Sequence, residues 1–320
     1  MKDERNRSLL PRYALIGGAV AASIGVAAWT AMRARRAERD CPPLGQFIEA
    51  DGVRLHYFDE GEGPVVVLLH GNLVTTQDFL ASGLFGRLTK RHRVIAFDRP
   101  GFGYSERLRD RLWTPHAQAR TIQLALKKMG LSGAVIVGHS FGCLVASAMA
   151  LDPHTEIRGL TLISGYFYPT VRVDVAISAP AAIPVIGDVL RYTFSPIVAR
   201  MMYGRTVETM FAPRAAPESF YTYVPREMAL RPSQMRATAQ DATSMIPGAA
   251  EMSARYGSID VPVRIFAGSD DAIVDPESQS GRLSKDIRRS VLSVIPEGGH
   301  MIHCDDGDRI GDAIEAMASE

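Results

Sequence analysis

A serine between two glycines is the strongest chemical signal in this sequence. The segment Gly-His-Ser-Phe-Gly at 138–142 follows an apolar run at 134–137 and precedes a helix-like run at 143–150. A strand that turns sharply into a helix lifts the serine at the apex clear of the sheet, and small neighbours leave space around its hydroxyl. The pattern therefore predicts that Ser140 is a nucleophile; an ordinary tight turn is the alternative.

A serine hydroxyl is a weak nucleophile, so it needs an adjacent base and a carboxylate that orients the base. His300 follows the last apolar run on a glycine-rich loop, which makes it the predicted base. Asp271 follows the apolar run at 263–267 and is the predicted carboxylate, with its neighbour Asp270 as the alternative. Serine, acid and histidine then occur in the chain order Ser140, Asp271, His300.

Attack on an acyl carbon creates an oxyanion, which requires N–H donors that are already in place. The loop at 70–73 follows an apolar run, and the backbone N–H of Asn72 is the first predicted donor. The N–H of Phe141, at the start of the helix after the serine, is the second. Asn72 as an ordinary loop residue is the alternative.

Other polar residues near these motifs are predicted to have structural roles. The loop at 98–105 is rich in glycine and is expected to form a tight turn beside the site. We expect His70 to be structural and His139 to position the serine turn. His303, three residues after His300, is expected to point elsewhere.

Apolar runs alternate with helical patterns along most of the chain. Eight strands are predicted, at 47–49, 53–58, 64–69, 94–97, 134–137, 160–163, 263–267 and 291–295. Helical patterns separate many of them, which predicts an α/β fold with a mainly parallel eight-stranded sheet covered on both faces. The first two strands flank Asp51-Gly52 and are expected to form a hairpin.

One long stretch interrupts this alternation. No buried strand pattern occurs between 165 and 260, and the length is too great for a plain loop. We expect a helical lid at 166–258, with the hydrolase core divided between 47–165 and 259–320. A separate domain is the alternative. The predicted substrate pocket has four members, which are Leu73, Tyr166, Tyr168 and Met301.

The N-terminal region has the composition of a membrane anchor. Residues 13–32 carry no charge, and twenty residues of helix span about 30 Å, the thickness of a bilayer core. We expect a tail at 1–12, a single-pass transmembrane helix at 13–32 and a linker at 33–46. A cleaved signal peptide and a buried helix are the alternatives. Four Lys or Arg residues precede the segment and four follow it closely. The distribution of positive charge therefore does not predict on which side of the membrane the catalytic part lies.

Composition excludes several other functions. The formal net charge is only +1, so no nucleic-acid partner is expected. Three cysteines without a Cys-x-x-Cys pair suggest neither a disulfide framework nor a zinc site. The chemistry predicted above requires no metal and no organic cofactor.

The motifs together resemble those of the α/β-hydrolase fold superfamily, in its lid-bearing serine hydrolase branch. The resemblance rests on His-Gly-Asn at 70–72, the loop at 98–105, the serine turn at 138–142, the segment 268–271 and Gly299-His300. It covers about residues 47–320 and implies that Ser140, Asp271 and His300 form a catalytic triad. Haloalkane dehalogenases and epoxide hydrolases of this superfamily use an aspartate nucleophile, and Ser140 argues against both activities.

These features predict a membrane-anchored serine hydrolase that cleaves lipophilic carboxylic esters. The resemblance also permits a cofactor-free haloperoxidase or perhydrolase, or a hydrolase of carbon–carbon bonds. A membrane-tethered binding scaffold that has kept the fold is the alternative that is not an enzyme.

Overall fold

A computed structural model describes the backbone of residues 2–171 and 173–319 and, apart from 2–16, 173, 174 and 176–178, their side chains. The described residues form one sheet, helices on both of its faces and a helical insertion. The strands are β1 (Gln46–Ala50), β2 (Val53–Glu60), β3 (Val65–Leu69), β4 (Arg93–Phe97), β5 (Ala134–His139), β6 (Ile157–Ile163), β7 (Val263–Gly268) and β8 (Ser290–Ile295).

The sheet is mainly parallel. Its strand order is β1-β2-β4-β3-β5-β6-β7-β8. Strand β2 pairs antiparallel with β1 and β4, whereas the other neighbours pair parallel. The β1–β2 hairpin turns at Asp51 and Gly52, which both have positive φ, as a tight hairpin turn requires. The predicted eight-stranded α/β fold is confirmed.

The described residues form fourteen α-helices. They are α1 (Lys2–Asp40), α2 (Gln77–Ala81), α3 (Leu84–Leu88), α4 (Pro115–Lys128), α5 (Phe141–Ala150), α6 (Val173–Ala182), α7 (Ile186–Tyr192), α8 (Ser195–Phe211), α9 (Glu218–Tyr223), α10 (Arg226–Ala229), α11 (Pro232–Ser253), α12 (Arg282–Asp286), α13 (Ile302–Asp305) and α14 (Gly307–Ser319).

Strand β3 shows why continuous apolar runs mark the centre of the sheet. Val67 and Leu69 belong to the apolar cluster on one face, and Val66 and Leu68 belong to the cluster on the other. Successive side chains of a strand point to opposite faces, so a strand covered on both sides must be apolar throughout. The core therefore consists of two apolar layers with the sheet between them.

The insertion between β6 and β7 consists of helices α6 to α11. Helices α7 and α8 are separated at Thr193 and Phe194. Helix α6 packs mainly against α11. The boundaries of the lid at 166–258 stay a prediction.

The last turns of α1 pack against this insertion. Arg33 forms an ion pair with Glu227 of α10 at 3.0 Å, and Glu38 forms one with Arg231 at 3.0 Å. The guanidinium of Arg200 lies 4.8 Å from the ring centre of Trp29. The first helix is thus attached to the lid through charged and aromatic side chains.

The predicted transmembrane helix at 13–32 is not supported by the structure. Residues 13–16 lie outside the part whose side chains are described. Among the described residues, no helix combines the length and the apolar character that a membrane crossing needs.

Candidate active site

The serine turn joins β5 to α5 and has a strained backbone. Ser140 has φ 51° and ψ −117°, a region that L-residues rarely occupy and that is retained where function requires it. A Cβ on Gly142 would lie 2.1 Å from the carbonyl oxygen of Leu69, and a Cβ on Gly138 would lie 2.7 Å from the amide nitrogen of Cys143. The two glycines are needed because backbone passes directly against them.

His300 and Asp271 form a buried hydrogen-bonded pair. The Nδ1 of His300 lies 2.8 Å from Oδ2 of Asp271, and both side chains are at least 95% buried. A carboxylate only accepts, so Nδ1 carries the proton and a neutral ring has its lone pair on Nε2. The amides of Ile273 and Val274 donate to the other oxygen, Oδ1 of Asp271, and fix the orientation of the carboxylate.

The alternative carboxylate points elsewhere. Oδ2 of Asp270 accepts a 2.6 Å hydrogen bond from the hydroxyl of Ser269, and Asp270 is exposed. The structure thus pairs His300 with the first of the two predicted carboxylates, Asp271.

The loop after β3 is held in place by a buried arginine. Nε of Arg99 donates to the carbonyl of His70 at 2.8 Å, and Nη2 donates to the carbonyl of Gly71 at 2.9 Å. Nδ1 of His70 donates to Gly71, while Nε2 accepts from the amide of Arg99. Burial and the neighbouring Arg99 lower the pKa of His70 to about 3, so the ring is neutral, as these bonds require.

Phe141, one of the two predicted oxyanion donors, directly follows Ser140, and the loop that carries the other, Asn72, passes against the same turn. A Cβ on Gly71 would lie 3.1 Å from Cβ of Ser140, so the backbone leading to Asn72 passes against the serine. The side chain of Asn72 donates to the carbonyl of Thr238 in α11 at 3.1 Å, which ties this loop to the lid. Phe141 is the first residue of α5, so its N–H has no acceptor within the helix.

The backbone of His300 is held from two sides. Its carbonyl accepts from Nε2 of His139, the residue before the serine, at 3.2 Å. Its N–H donates at 3.2 Å to the carbonyl of Met210, which belongs to lid helix α8. The position of the candidate base therefore depends on both the serine turn and the lid.

One aspartate and two histidines, side chains of the kinds that bind metals, are buried together next to the serine turn. Ligand atoms of Asp78, His139 and His303 all lie within 4.8 Å of one another. Nε2 of His303 donates to Oδ2 of Asp78 at 2.9 Å. Although burial disfavours the charge, the carboxylate of Asp78 raises the pKa of His303 well above its ordinary value. In this structure a proton on Nε2 of His303 lies between these two groups, which form a hydrogen-bonded ion pair.

Sequence reasoning missed the role of Asp78. It lies at the start of a short helix with no motif around it, and only the fold brings it to His303. His303 does point away from the pair formed by His300 and Asp271, and His139 does lie against the serine turn.

An apolar cavity of about 470 Å³ lies between the lid and the loop after β3. Leu73 and Val74 form its wall next to Asn72, while Met202 and Met210 of α8 contribute from the lid. None of the described residues that line it carries a charge. The cavity is therefore suited to a lipophilic group of small-molecule size.

The predicted pocket residues have different positions. Leu73 lines the cavity. Tyr166 and Tyr168 do not line it; both are buried in the core, where the ring of Tyr168 packs edge-on against that of Tyr256. Met301 is fully buried in an apolar cluster with Met210 and does not line the cavity either.

Comparison with known proteins identifies the family. A family profile described as the alpha/beta hydrolase fold matches residues 64–307. The chain therefore belongs to the alpha/beta hydrolase family, and its structural neighbours are esterases and other hydrolases of that superfamily.

Individual relatives carry different activities in their names. A protein named haloalkane dehalogenase 2 from Mycobacterium tuberculosis is 29% identical over 85% of this chain and 94% of its own length. The structure of a thermophilic esterase from Thermogutta terrifontis superposes with a TM-score of 0.68 at 24% identity, over 85% of this chain and 97% of that one. A bacterial membrane phospholipase A superposes with a TM-score of 0.66 at 19% identity, over 98% of each chain. These comparisons establish an alpha/beta hydrolase and do not name its substrate.

Proposed function

We propose that this protein is a serine hydrolase that cleaves carboxylic esters with a lipophilic acyl group. The observation that carries the proposal is the buried pair of Asp271 and His300, on the same sheet edge as the strained turn at Ser140. The uncharged cavity adjoins this pair through Met210, which lines it and whose carbonyl accepts from the amide of His300. The Asp271 carboxylate keeps the proton of His300 on Nδ1, which leaves Nε2 to act as the base.

The proposed reaction has two steps. Oγ of Ser140 attacks the acyl carbon while Nε2 of His300 takes its proton, and the amides of Asn72 and Phe141 stabilise the oxyanion. The same proton then passes to the departing alcohol, which leaves an acyl group on Ser140. Water, deprotonated by His300, attacks this ester and releases the acid with Ser140 restored.

The side chain at 140 distinguishes this proposal from dehalogenation. An aspartate that displaces halide forms an ester, which water can hydrolyse at the carbonyl carbon. A serine in that role would form an alkyl ether, which has no carbonyl to attack. The 29% identity to the dehalogenase therefore indicates shared ancestry, and we propose acyl transfer for this chain.

Active-site labelling and a chain-length series test the proposal. We expect a fluorophosphonate probe to label the wild-type protein and not Ser140→Ala, and p-nitrophenyl esters to be cleaved faster as the acyl chain lengthens towards the capacity of the cavity. Ala199→Phe would fill part of the cavity and shift the preference to shorter chains, whereas Arg205→Gln, an exposed change on the same helix, would not. Absence of labelling in folded wild-type protein would refute the serine mechanism.

We further propose that the N-terminal helix attaches the enzyme to a membrane. Support comes from the uncharged segment 13–32 and from the membrane phospholipase A, which covers 98% of this chain where the thermophilic esterase covers 85%. Alkaline carbonate should leave the full-length protein with the membranes. Val20→Lys combined with Ile24→Lys, two exposed positions of α1, should release it. Release of the wild-type protein would contradict the attachment.

A further inference from the structure

A second cavity, of about 540 Å³, lies where the end of α1, the loop after β4 and lid helices α7 and α11 meet. Five arginines line it, and they come from these distant parts of the chain. They are Arg107, Arg109, Arg191, Arg231 and Arg236. Five guanidinium groups around one cavity create a strongly positive site unless acidic groups neutralise them.

Acidic side chains neutralise only part of this charge. Both carboxylate oxygens of Asp188 accept from Arg109, at 2.7 and 2.8 Å, and the same carboxylate contacts Arg191. Glu38 accepts from Arg231 at 3.0 Å. Glu106 also lines the cavity, and its carboxylate accepts from the amide of Arg54 at 3.3 Å. The guanidinium of Arg236 donates to a backbone carbonyl and forms no ion pair with any residue that the structure describes.

Arg107 has buried donors without acceptors. Only 8% of the residue is exposed, and its Nη1 donates to the carbonyl of Pro100 and to Asp241, both at 2.9 Å. Its Nε and Nη2 are buried, and within the described part of the chain they have no hydrogen-bond partner. No solvent reaches these two donors, so their missing acceptors are a cost of the fold, and Arg107 contributes positive charge rather than a direct contact to the cavity.

The arginines also repel one another. Burial, together with the nearby Arg109 and Arg236, lowers the pKa of Arg191 to about 10. Burial and the nearby Arg109 and Arg107 lower the pKa of Arg236 as well. An anion in the cavity would remove this repulsion.

We propose that this cavity binds a phosphate group. A phosphate offers several acceptor oxygens and up to two negative charges, which suits guanidiniums that approach from different directions better than a single carboxylate does. Bound phosphate would bridge Arg109 of the core to Arg191 and Arg236 of the lid. It would therefore hold the lid against the core and stabilise the fold.

Binding is measured on the full-length protein by calorimetry and thermal unfolding, with inorganic phosphate as the probe at constant ionic strength. We expect phosphate to raise the melting temperature where chloride does not. Arg236→Gln should weaken phosphate binding about tenfold, since one charge-assisted contact is lost. Arg205→Gln, an exposed arginine of α8, is the matched control and should bind as the wild type does.

The Arg236→Gln variant also distinguishes a role of Arg236 in phosphate binding from a purely structural role. Without phosphate, Arg236→Gln should melt no lower than the wild type, because a crowded positive charge has been removed. A lower melting temperature without phosphate and unchanged phosphate affinity would overturn the proposal, as would equal binding by all three proteins or no binding at all. None of these readouts depends on ester hydrolysis.

Two sources of the phosphate can be distinguished in the Ser140→Ala background, where the proposed hydrolysis is blocked. Glycerol 3-phosphate represents a soluble phosphate ester, and dibutanoyl phosphatidate represents a lipid headgroup. Tighter binding of the phosphatidate assigns the site to lipid, and equal binding assigns it to soluble phosphate esters. Failure of both ligands to bind would refute the site.

Discussion

At the scale of single residues, hydrogen bonds decide which of two adjacent carboxylates serves the candidate base. The side chain of Asp271 is buried, accepts from two backbone amides and lies 2.8 Å from Nδ1 of His300. Asp270 is exposed and bonds to Ser269 instead. The two side chains have the same chemistry, so only their orientation separates their roles.

Asp271→Asn should therefore abolish most of the activity. An amide can donate its N–H to the imidazole and favour the wrong tautomer, which lowers kcat by about 10⁴-fold in a Ser-His-Asp triad. Steady-state kinetics on a short p-nitrophenyl ester would measure this loss. Asp270→Asn is the control, and a comparable loss there would contradict the pairing.

Burial of a neutral histidine predicts how stability varies with pH. Unfolding returns His70 from a pKa of about 3 to about 6.5, so the unfolded chain binds a proton that the folded chain does not. Stability should therefore fall as the pH decreases from 6.5 towards 3, by up to about 1.4 kcal/mol per pH unit from this residue. Urea unfolding at a series of pH values measures this effect. The free energy of unfolding of His70→Gln should decrease less steeply with falling pH than that of the wild type. Equal slopes for the two proteins would show that His70 does not cause the pH dependence.

At the scale of elements, the serine turn requires close contact between two backbone segments. Gly142, in the first turn of α5, lies against the end of β3, so that α5 begins directly beside the loop that carries Asn72. Gly204, within lid helix α8, has no atom within 4 Å of the position of a Cβ. The same substitution should have opposite effects at these two glycines.

Gly142→Ala should lower the free energy of unfolding by about 2 kcal/mol or more, because the added methyl group must displace the carbonyl of Leu69. It should also lower kcat by moving the serine turn. Gly204→Ala should raise stability by about 0.5–1 kcal/mol, since glycine is a poor helix former. Chemical denaturation of both variants tests the contrast, and destabilisation by Gly204→Ala would show that α8 contacts more than the structure contains.

At the scale of the whole molecule, a single lid carboxylate joins the insertion to the core. Asp241 of α11 accepts from Arg99 at 2.5 Å and from Arg107 at 2.9 Å, and all three side chains are at least 98% buried. Arg99 in turn holds the loop that carries Asn72, and Arg107 lines the proposed phosphate cavity. The ion-pair network therefore connects the lid, the candidate oxyanion loop and the second cavity.

Asp241→Asn should destabilise the protein strongly. It leaves two buried guanidinium groups without their shared carboxylate, and removal of one member of a buried ion pair costs about 3–5 kcal/mol. Asp312→Asn removes an exposed partner of Arg87 and should cost less than about 1 kcal/mol. Urea unfolding compares the two variants. Similar small losses would mean that water or another group compensates for the missing charge.

The sequence alone determined the fold class, the eight strands and the glycine-flanked turn at Ser140. These features have local sequence patterns. Continuous apolar runs form buried strands, and glycines on both sides of a serine permit a sharp turn from a strand into a helix. The uncharged segment of twenty residues at 13–32 also predicted a membrane helix, which the structure does not support.

Only the tertiary structure decided which side chains meet. Tyr166 and Tyr168 looked suitable for a pocket after β6, but their direction depends on packing against a tyrosine that is 88 residues further along the chain from Tyr168, and they point into the core. The choice between Asp270 and Asp271 and the gathering of five arginines likewise depend on contacts between distant segments. Such contacts have no local pattern, because residues 107 and 236 become neighbours only when the lid packs on the sheet.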